Sequence, residues 1–596
     1  MRKPAQFVLL AARALAAAAL IAGATLGCRG ERAGQKDAAV ATGPVQQDLM
    51  VEQTPDALVE ALVRANLDAE LALKPTLASW LGDHGYDDKL DDVRTDAQLH
   101  EATRLRQLAD QLRAIPEAPL AAPARLDRRL LLRRTEAALH ELSELRPLER
   151  NPLFYVDIAQ VGVESLVADA RTLDPDTLRA LNGRLARVRG LFDEARRNLR
   201  GSTPELAARR AVDGAQALRA FVAEALPKLV QGVPDARAVE DARAAIGDAT
   251  RALDEFAGWL QRDFLPRAHG ELSLGPARRR SHQRAAEAVP GSIDVLIPRV
   301  DAALRDADRR VDEAARAVLA STPVTPPRTL SDVPRLIEDD HGKAEELLLR
   351  AQAVTDQLFQ QGRALGLPVP ATGLPHVAEM PPQLSGFVRV VAAAPLEKRA
   401  REPVLYVDPA PPSGGRVEHL RLFNRPTMVV TLAHELLGHF LVGLRRRQAP
   451  TLMQRVSASV LLDEGLAGYV ERVLLAQPPF AADWKARLVA ERDARLRIVR
   501  LLASIRFHAQ GVRLEEIARL FGDSCGLDEY TARREAERVA LDPFAGVDAL
   551  GRLELERLRD DFFAAHPTAT NEAFFAALLS HGGTPPELLR ELILTP

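Results

Sequence analysis

The sequence predicts a mostly α-helical protein, a large multi-helix body with one small β-sheet. Three observations carry this reading. From Val51 to about Ala320, Leu, Ala and Val recur at three- and four-residue intervals with Arg, Glu and Asp between them, the period of helices with one apolar face. Between Pro368 and Pro426, short β-branched or alternating runs separated by Pro and Gly break that period, as strands do. From Met428 the helical period returns and persists to the end.

Composition narrows the function classes. The 596 residues carry 79 Lys+Arg against 82 Asp+Glu, a net charge of −3, so a polyanion-binding surface is not expected and nucleic acid is excluded as a partner. At 47% hydrophobic the chain is too apolar for a disordered protein. Aromatics make up only 4%, so the core is built from Leu, Ala and Val. Cys28 and Cys525 are the only cysteines, which excludes a disulfide framework and a Cys-based zinc ribbon. A metal site must then come from His and carboxylates.

Taken in order, the chain starts with Met1-Arg-Lys and an apolar stretch from Phe7 to Leu26 interrupted only by Arg13. That suits a secretory signal better than a membrane span. It closes on Thr25-Leu26-Gly27-Cys28, which resembles a bacterial lipobox. We expect a signal peptide over 1–27, lipidation of Cys28 and a flexible tether over 28–50. The product is then held by an acyl chain in the cell envelope, at the outer membrane or facing the periplasm. An ordinary signal with an incidental Cys, or an uncleaved anchor, fits the same residues. Region 51–330 is read as helical, with helices over Asp56–Leu73, Asp96–Ile115, Leu126–Leu145 and Asp174–Asn198, and breaks at Pro116, Pro119, Pro123, Pro147 and Pro152. Region 331–596 holds strands expected at Phe387–Val391, Val404–Val407 and Val417–Phe423, then helices with loops near Pro478, Pro543, Pro567 and Gly582-Gly583. The two regions are expected to pack as one globular unit.

The informative string is Val429-Val-Thr-Leu-Ala-His434-Glu435-Leu-Leu-Gly438-His439-Phe-Leu. Burying His, Glu and His on an apolar helix is costly unless they are paired or liganded. Two imidazoles suit a divalent metal, and the adjacent Glu435 can act as base on water. His-Glu-x-x-His places its ligands i, i+4 on one face. Here the spacing is i, i+5, about 140° apart on an ideal α-helix. The site therefore requires the helix to widen by one residue, as a π-bulge does, with Gly438 well placed for it. Glu464, in Leu461-Leu-Asp463-Glu464-Gly-Leu-Ala-Gly-Tyr469-Val-Glu471, is the third ligand candidate. Two His and one Glu leave the fourth zinc position open, the catalytic arrangement.

These strings carry a resemblance. His434-Glu435-Leu-Leu-Gly438-His439 is similar to the zinc helix of the dipeptidyl-peptidase III family, which also carries the extra residue. Glu464-Gly-Leu-Ala-Gly-Tyr469-Val-Glu471 resembles the Glu-Gly-Trp-Ala-Leu-Tyr-x-Glu motif of the bacterial domain-of-unknown-function family 885. Ser79-Trp-Leu-Gly-Asp-His-Gly-Tyr-Asp-Asp88, Phe256–Gly275, Pro381-Pro382 and Gly582–Leu589 fit that family too. The resemblance implies a zinc metallopeptidase with a gluzincin-like site, often secreted or lipid-anchored. This sequence departs from the family in three places. The family's His-Glu-x-x-Pro-Gly-His is one residue longer, its Pro-Gly-Gln-Ala-x-x-Tyr appears as Pro543-Phe-Ala-Gly-Val-Asp548, and a late Phe-His pair appears as Phe574-Phe575.

The expected roles follow from metallopeptidase chemistry on a peptide substrate. Zinc is held by His434, His439 and Glu464, with Glu435 as general base. His508, matching a family His, is the first choice as oxyanion donor and Tyr469 the second. Arg500 is a candidate for a substrate carboxylate. Asp463 or Glu471 is expected to hydrogen-bond a ligating His. A strand near Val417–Phe423 is expected to receive an extended peptide at its edge. The alternative, from another class, is a lipid-anchored binding protein that keeps the fold and has lost turnover.

Overall fold

A computed structural model of the chain describes residues 54–594, apart from 169–172, 288–292, 322–328, 382, 385, 400 and 409–415. The signal peptide, Cys28 and the tether lie outside the described residues. The helices expected in the first half are present as Pro55–Leu73, Thr95–Ala114, Ala122–His140 and Pro175–Asn198. Local chemistry fixes their starts. Thr54 and Asp174 accept backbone N–H groups of the first turns of their helices, and Pro55 and Pro175 follow them where a missing N–H costs nothing. The stretch expected as one helix to Leu145 ends in a separate π-turn, Glu141–Leu145.

The sheet has three short strands, β1 (His376–Glu379), β2 (Val388–Val391) and β3 (Val404–Val407), in the order β1-β3-β2. β1 runs parallel to β3 and β2 antiparallel to it, with Arg389 opposite Tyr406. The strand expected at Val417–Phe423 is instead a helix, Arg416–Leu422. Its short sequence satisfies both periods. Burial decides, since Leu420 and Phe423 are buried three residues apart while Val417 and Leu422 stay 57% and 55% exposed. β1, with a single Val in His376-Val-Ala-Glu, carries too little alternation to be read from sequence.

One apolar core, from Leu90 to Phe264, fills the N-terminal helices around the stacked Phe192 and Phe256 rings. A second lies under the sheet and around the later helices, from Leu347 to Ile593. Leu296, Val300 and Ala307 pack with Leu461, Ile498 and Leu550, and Val59 and Leu130 share a cluster with Met453. Five helices shape the site. They are α1 (Pro152–Val167), α2 (Arg425–Arg447, with a π-segment in its middle), α3 (Val460–Leu475), α4 (Trp484–Gln510) and α5 (Val547–Ala565). Helix α2 has the length and apolarity of a membrane span, yet most of it is buried inside the protein.

Candidate metal centre

Helix α2 begins at a defined cap, where Asn424 Oδ1 accepts the Thr427 N–H at 2.9 Å. It is α-helical to Leu432, widens to a π-helix over Ala433–Phe440 and returns to α-helix at Leu441. The widening carries the extra residue between the histidines and turns both to one side. Their Nε2 atoms lie 3.2 Å apart.

Gly438 serves a different purpose from the one its place in the motif suggests. Its backbone φ is not positive; a Cβ there would fall 2.4 Å from the Cβ of Ala467 on α3. The missing side chain lets α2 and α3 touch, which is what allows a carboxylate on α3 to reach the histidines. Helix α3 is set in turn by Ser459, whose Oγ accepts the Leu462 N–H at 3.1 Å. It is pressed on α5 where Gly465 meets Gly551, a spacing no Cβ at position 465 would tolerate.

The result is a convergent donor set. His434 Nε2 is 3.7 Å from Glu464 Oε2, and His439 Nε2 is 3.9 Å from Glu464 Oε1. One ligand atom from each of the three lies within 4.8 Å of the others. Two nitrogens bound tetrahedrally at ~2.0–2.1 Å stand about 3.3–3.4 Å apart, so the 3.2 Å histidine pair fits a shared zinc ion. Two imidazole nitrogens facing at this distance need a proton or a cation between them. Side-chain exposures of 14%, 30% and 15% for His434, His439 and Glu464 leave one side accessible, unlike a closed structural site.

Behind His434 lies a buried charge network. Its Nδ1 is 3.4 Å from Glu471 Oε2, an ion-pair distance without a well-aligned hydrogen bond. Arg497 Nη1 of α4 is 3.2 Å from the same oxygen, and its Nε is 3.5 Å from Asp548 of α5. Burial opposes charge on His434, but the carboxylates of Glu464 and Glu471 outweigh it and lift the imidazole to about 9. Burial also works against an ionised Glu471, and there Arg497 and His434 prevail and hold it below the usual range. Glu435 follows His434 on the π-segment, partly buried, and its charge acts on Arg389 of β2.

Four of the candidate residues lie elsewhere. His508 is fully buried, with Nε2 2.9 Å from the Val539 carbonyl and Nδ1 accepting the Leu274 N–H at 3.4 Å. Backbone partners occupy both ring nitrogens, so it has none to offer an oxyanion. Tyr469, 3% exposed, packs its ring with Phe574 and Phe575; five residues from Glu464, it faces the core and not the metal ligands. Arg500 is clamped by Glu535 at 2.6 and 2.8 Å and is not open to a substrate carboxylate. Asp463 pairs with Arg446 and not with a histidine. The reading missed Arg497, Asp548 and Arg389. Arg497 is one of many arginines, and no local pattern marks it.

A family model described as bacterial protein of unknown function (DUF885) matches residues 75–593. No curated protein matches the sequence. Among solved structures, one provisionally described as a lipoprotein of unknown function from Shewanella oneidensis aligns at TM-score 0.74 and 17% identity, over 90% of this chain and 100% of that one. Another, provisionally described as a lipoprotein from Colwellia psychrerythraea, aligns at TM-score 0.72 and 14% identity, over 90% and 98%. The shared fold thus spans nearly the whole of both neighbours. The chain belongs to the DUF885 family.

Proposed function

We propose that this DUF885 member is a zinc-dependent peptidase of the cell envelope, held there through acyl-Cys28. The observation that carries the reading is the donor set of His434, His439 and Glu464, open on one side, with Glu435 beside it on the same widened turn. The lipobox-like Thr25-Leu26-Gly27-Cys28 supports the location, as do the descriptions of the two structural neighbours.

A zinc ion on the three ligands supplies Lewis acidity for the scissile carbonyl and lowers the pKa of water beside it towards ~7. Glu435 accepts the proton of the attacking water and returns it to the leaving amine. Glu471 orients the His434 ring from behind, keeping its Nε2 lone pair turned to the ligand position, while Arg497 holds Glu471 ionised. The sheet supports a peptide as substrate. β1 has its outer edge covered where Val377 N–H donates to Gln352 at 3.2 Å, whereas β2 is the other edge and packs against the π-segment. An extended peptide can pair along β2, taking the place foreseen for a strand at 417–423.

The test is zinc content and cleavage of a mixed peptide library by the purified protein and by Glu435→Gln. Zinc at one per chain, with cleavage falling by about 10²–10⁴ in the variant, supports the peptidase. Zinc without cleavage of any peptide favours a binding protein that has kept the site.

A further inference from the structure

Arg389 lies on the edge strand β2. Val388 and Val390 of β2 pack on the apolar core together with Leu405 and Val407 of β3. The pleat therefore sends Arg389, and Tyr406 opposite it, to the other side. Strand β2 rests on the π-segment that carries Glu435. The charges acting on the Arg389 guanidinium are Glu435 and, on α1, Glu164. Neither comes within the 4.0 Å of an ion pair, and among the described residues no hydrogen-bond partner is present either. Glu164 is occupied by the amide of Gln160 at 2.9 Å.

A half-buried guanidinium with no direct partner contrasts with Arg497 and Arg500, each of which is paired with a carboxylate. Burial opposes its charge, yet arginine stays protonated. A cation in this condition gains most from a carboxylate, which takes two parallel N–H donors of the fork.

We propose that Arg389 is the specificity residue that binds the free C-terminal carboxylate of the substrate, making the enzyme one that trims peptide C-termini. The role assigned from sequence to Arg500 passes to Arg389. This inference rests on the peptidase reading above, and the experiment separates the two.

The probes are a library of N-acetylated tripeptides made once as free acids and once as C-terminal amides, given to the zinc-loaded full-length protein. The expected result is a kcat/KM at least about 100-fold higher for acids than for amides, since a site built for a polar group rejects the analogue lacking it. Arg389→Met should erase most of that ratio with zinc content unchanged, and Arg389→Lys should keep part of it. Equal rates for acids and amides, or a ratio that survives Arg389→Met, overturn the proposal. A general effect on Glu435 or on folding would lower both series alike and leave the ratio intact.

A binding arm reads the clamp without turnover. Calorimetry on zinc-loaded Glu435→Gln with N-acetyl-trialanine should show the acid at least about tenfold tighter than the amide, and Arg389→Met in that background should remove the difference. If no peptide is cleaved by the wild-type protein, the peptidase reading falls while this difference still supports the clamp. Equal or undetectable binding of both forms counts against it.

Discussion

His434 and His439, five positions apart, bring their Nε2 atoms to 3.2 Å because the helix between them is a π-helix. An α-helix would turn the two rings to different sides. The ligand geometry is therefore a property of one local backbone widening, and the first predictions concern what holds it.

Gly438→Ala should weaken the site without touching a ligand. The new Cβ would lie 2.4 Å from the Cβ of Ala467, forcing α2 and α3 apart. We expect a loss of about 1–3 kcal/mol in stability and a fall in bound zinc, read by thermal denaturation and metal analysis.

Glu471→Gln should lower zinc affinity by about 10–100-fold with the fold retained. The carboxylate lies 3.4 Å from His434 Nδ1 and 3.2 Å from Arg497. Titration against a competing chelator measures the change.

Tyr469→Phe should leave kcat/KM within about threefold of the parent on any peptide it cleaves. The ring is 3% exposed among Phe574 and Phe575, and burial pushes its hydroxyl up to about 12. A loss of about 100-fold would show that the hydroxyl stabilises the oxyanion after all.

Glu141, which is not among the candidate site residues, gives a pH-dependent prediction. It is 2% exposed in the Glu141–Leu145 π-turn, and neither carboxylate oxygen has a hydrogen-bond partner. Burial holds its pKa well above the usual 4.5. The folded state then keeps a proton that the unfolded state has released, so stability falls as pH rises from about 4.5 towards the folded value. Glu141→Met should stabilise the protein by about 1–3 kcal/mol at pH 8 and by less at pH 5. Thermal midpoints at the two pH values check it.

Much of the fold was legible because helices repeat one signal over many residues. The long amphipathic runs of the first half fall where their periodicity puts them. Short elements were not legible, since four to seven residues fit either period. Thus Arg416–Leu422 reads as a strand until Leu420 and Phe423 are seen buried together. For the site, residues close in sequence could be grouped from spacing and known side-chain chemistry, and the need for a widened turn followed from the i, i+5 spacing. Residues joined only by tertiary packing could not be grouped. His508 and Arg500 have suitable chemistry, but Val539 and Glu535, more than thirty residues away, occupy them. Arg389 falls within the field of the Glu435 charge through the pairing of β2 with β3 and the packing of β2 on α2, which no local pattern encodes.

The most direct measurement is X-ray absorption at the zinc edge on the purified, zinc-loaded protein. Two imidazole nitrogens and carboxylate oxygen at ~2.0–2.2 Å, with one imidazole lost in His439→Ala and the carboxylate lost in Glu464→Ala, is the predicted result. A zinc shell unchanged by either substitution, or no stoichiometric zinc at all, would contradict the account.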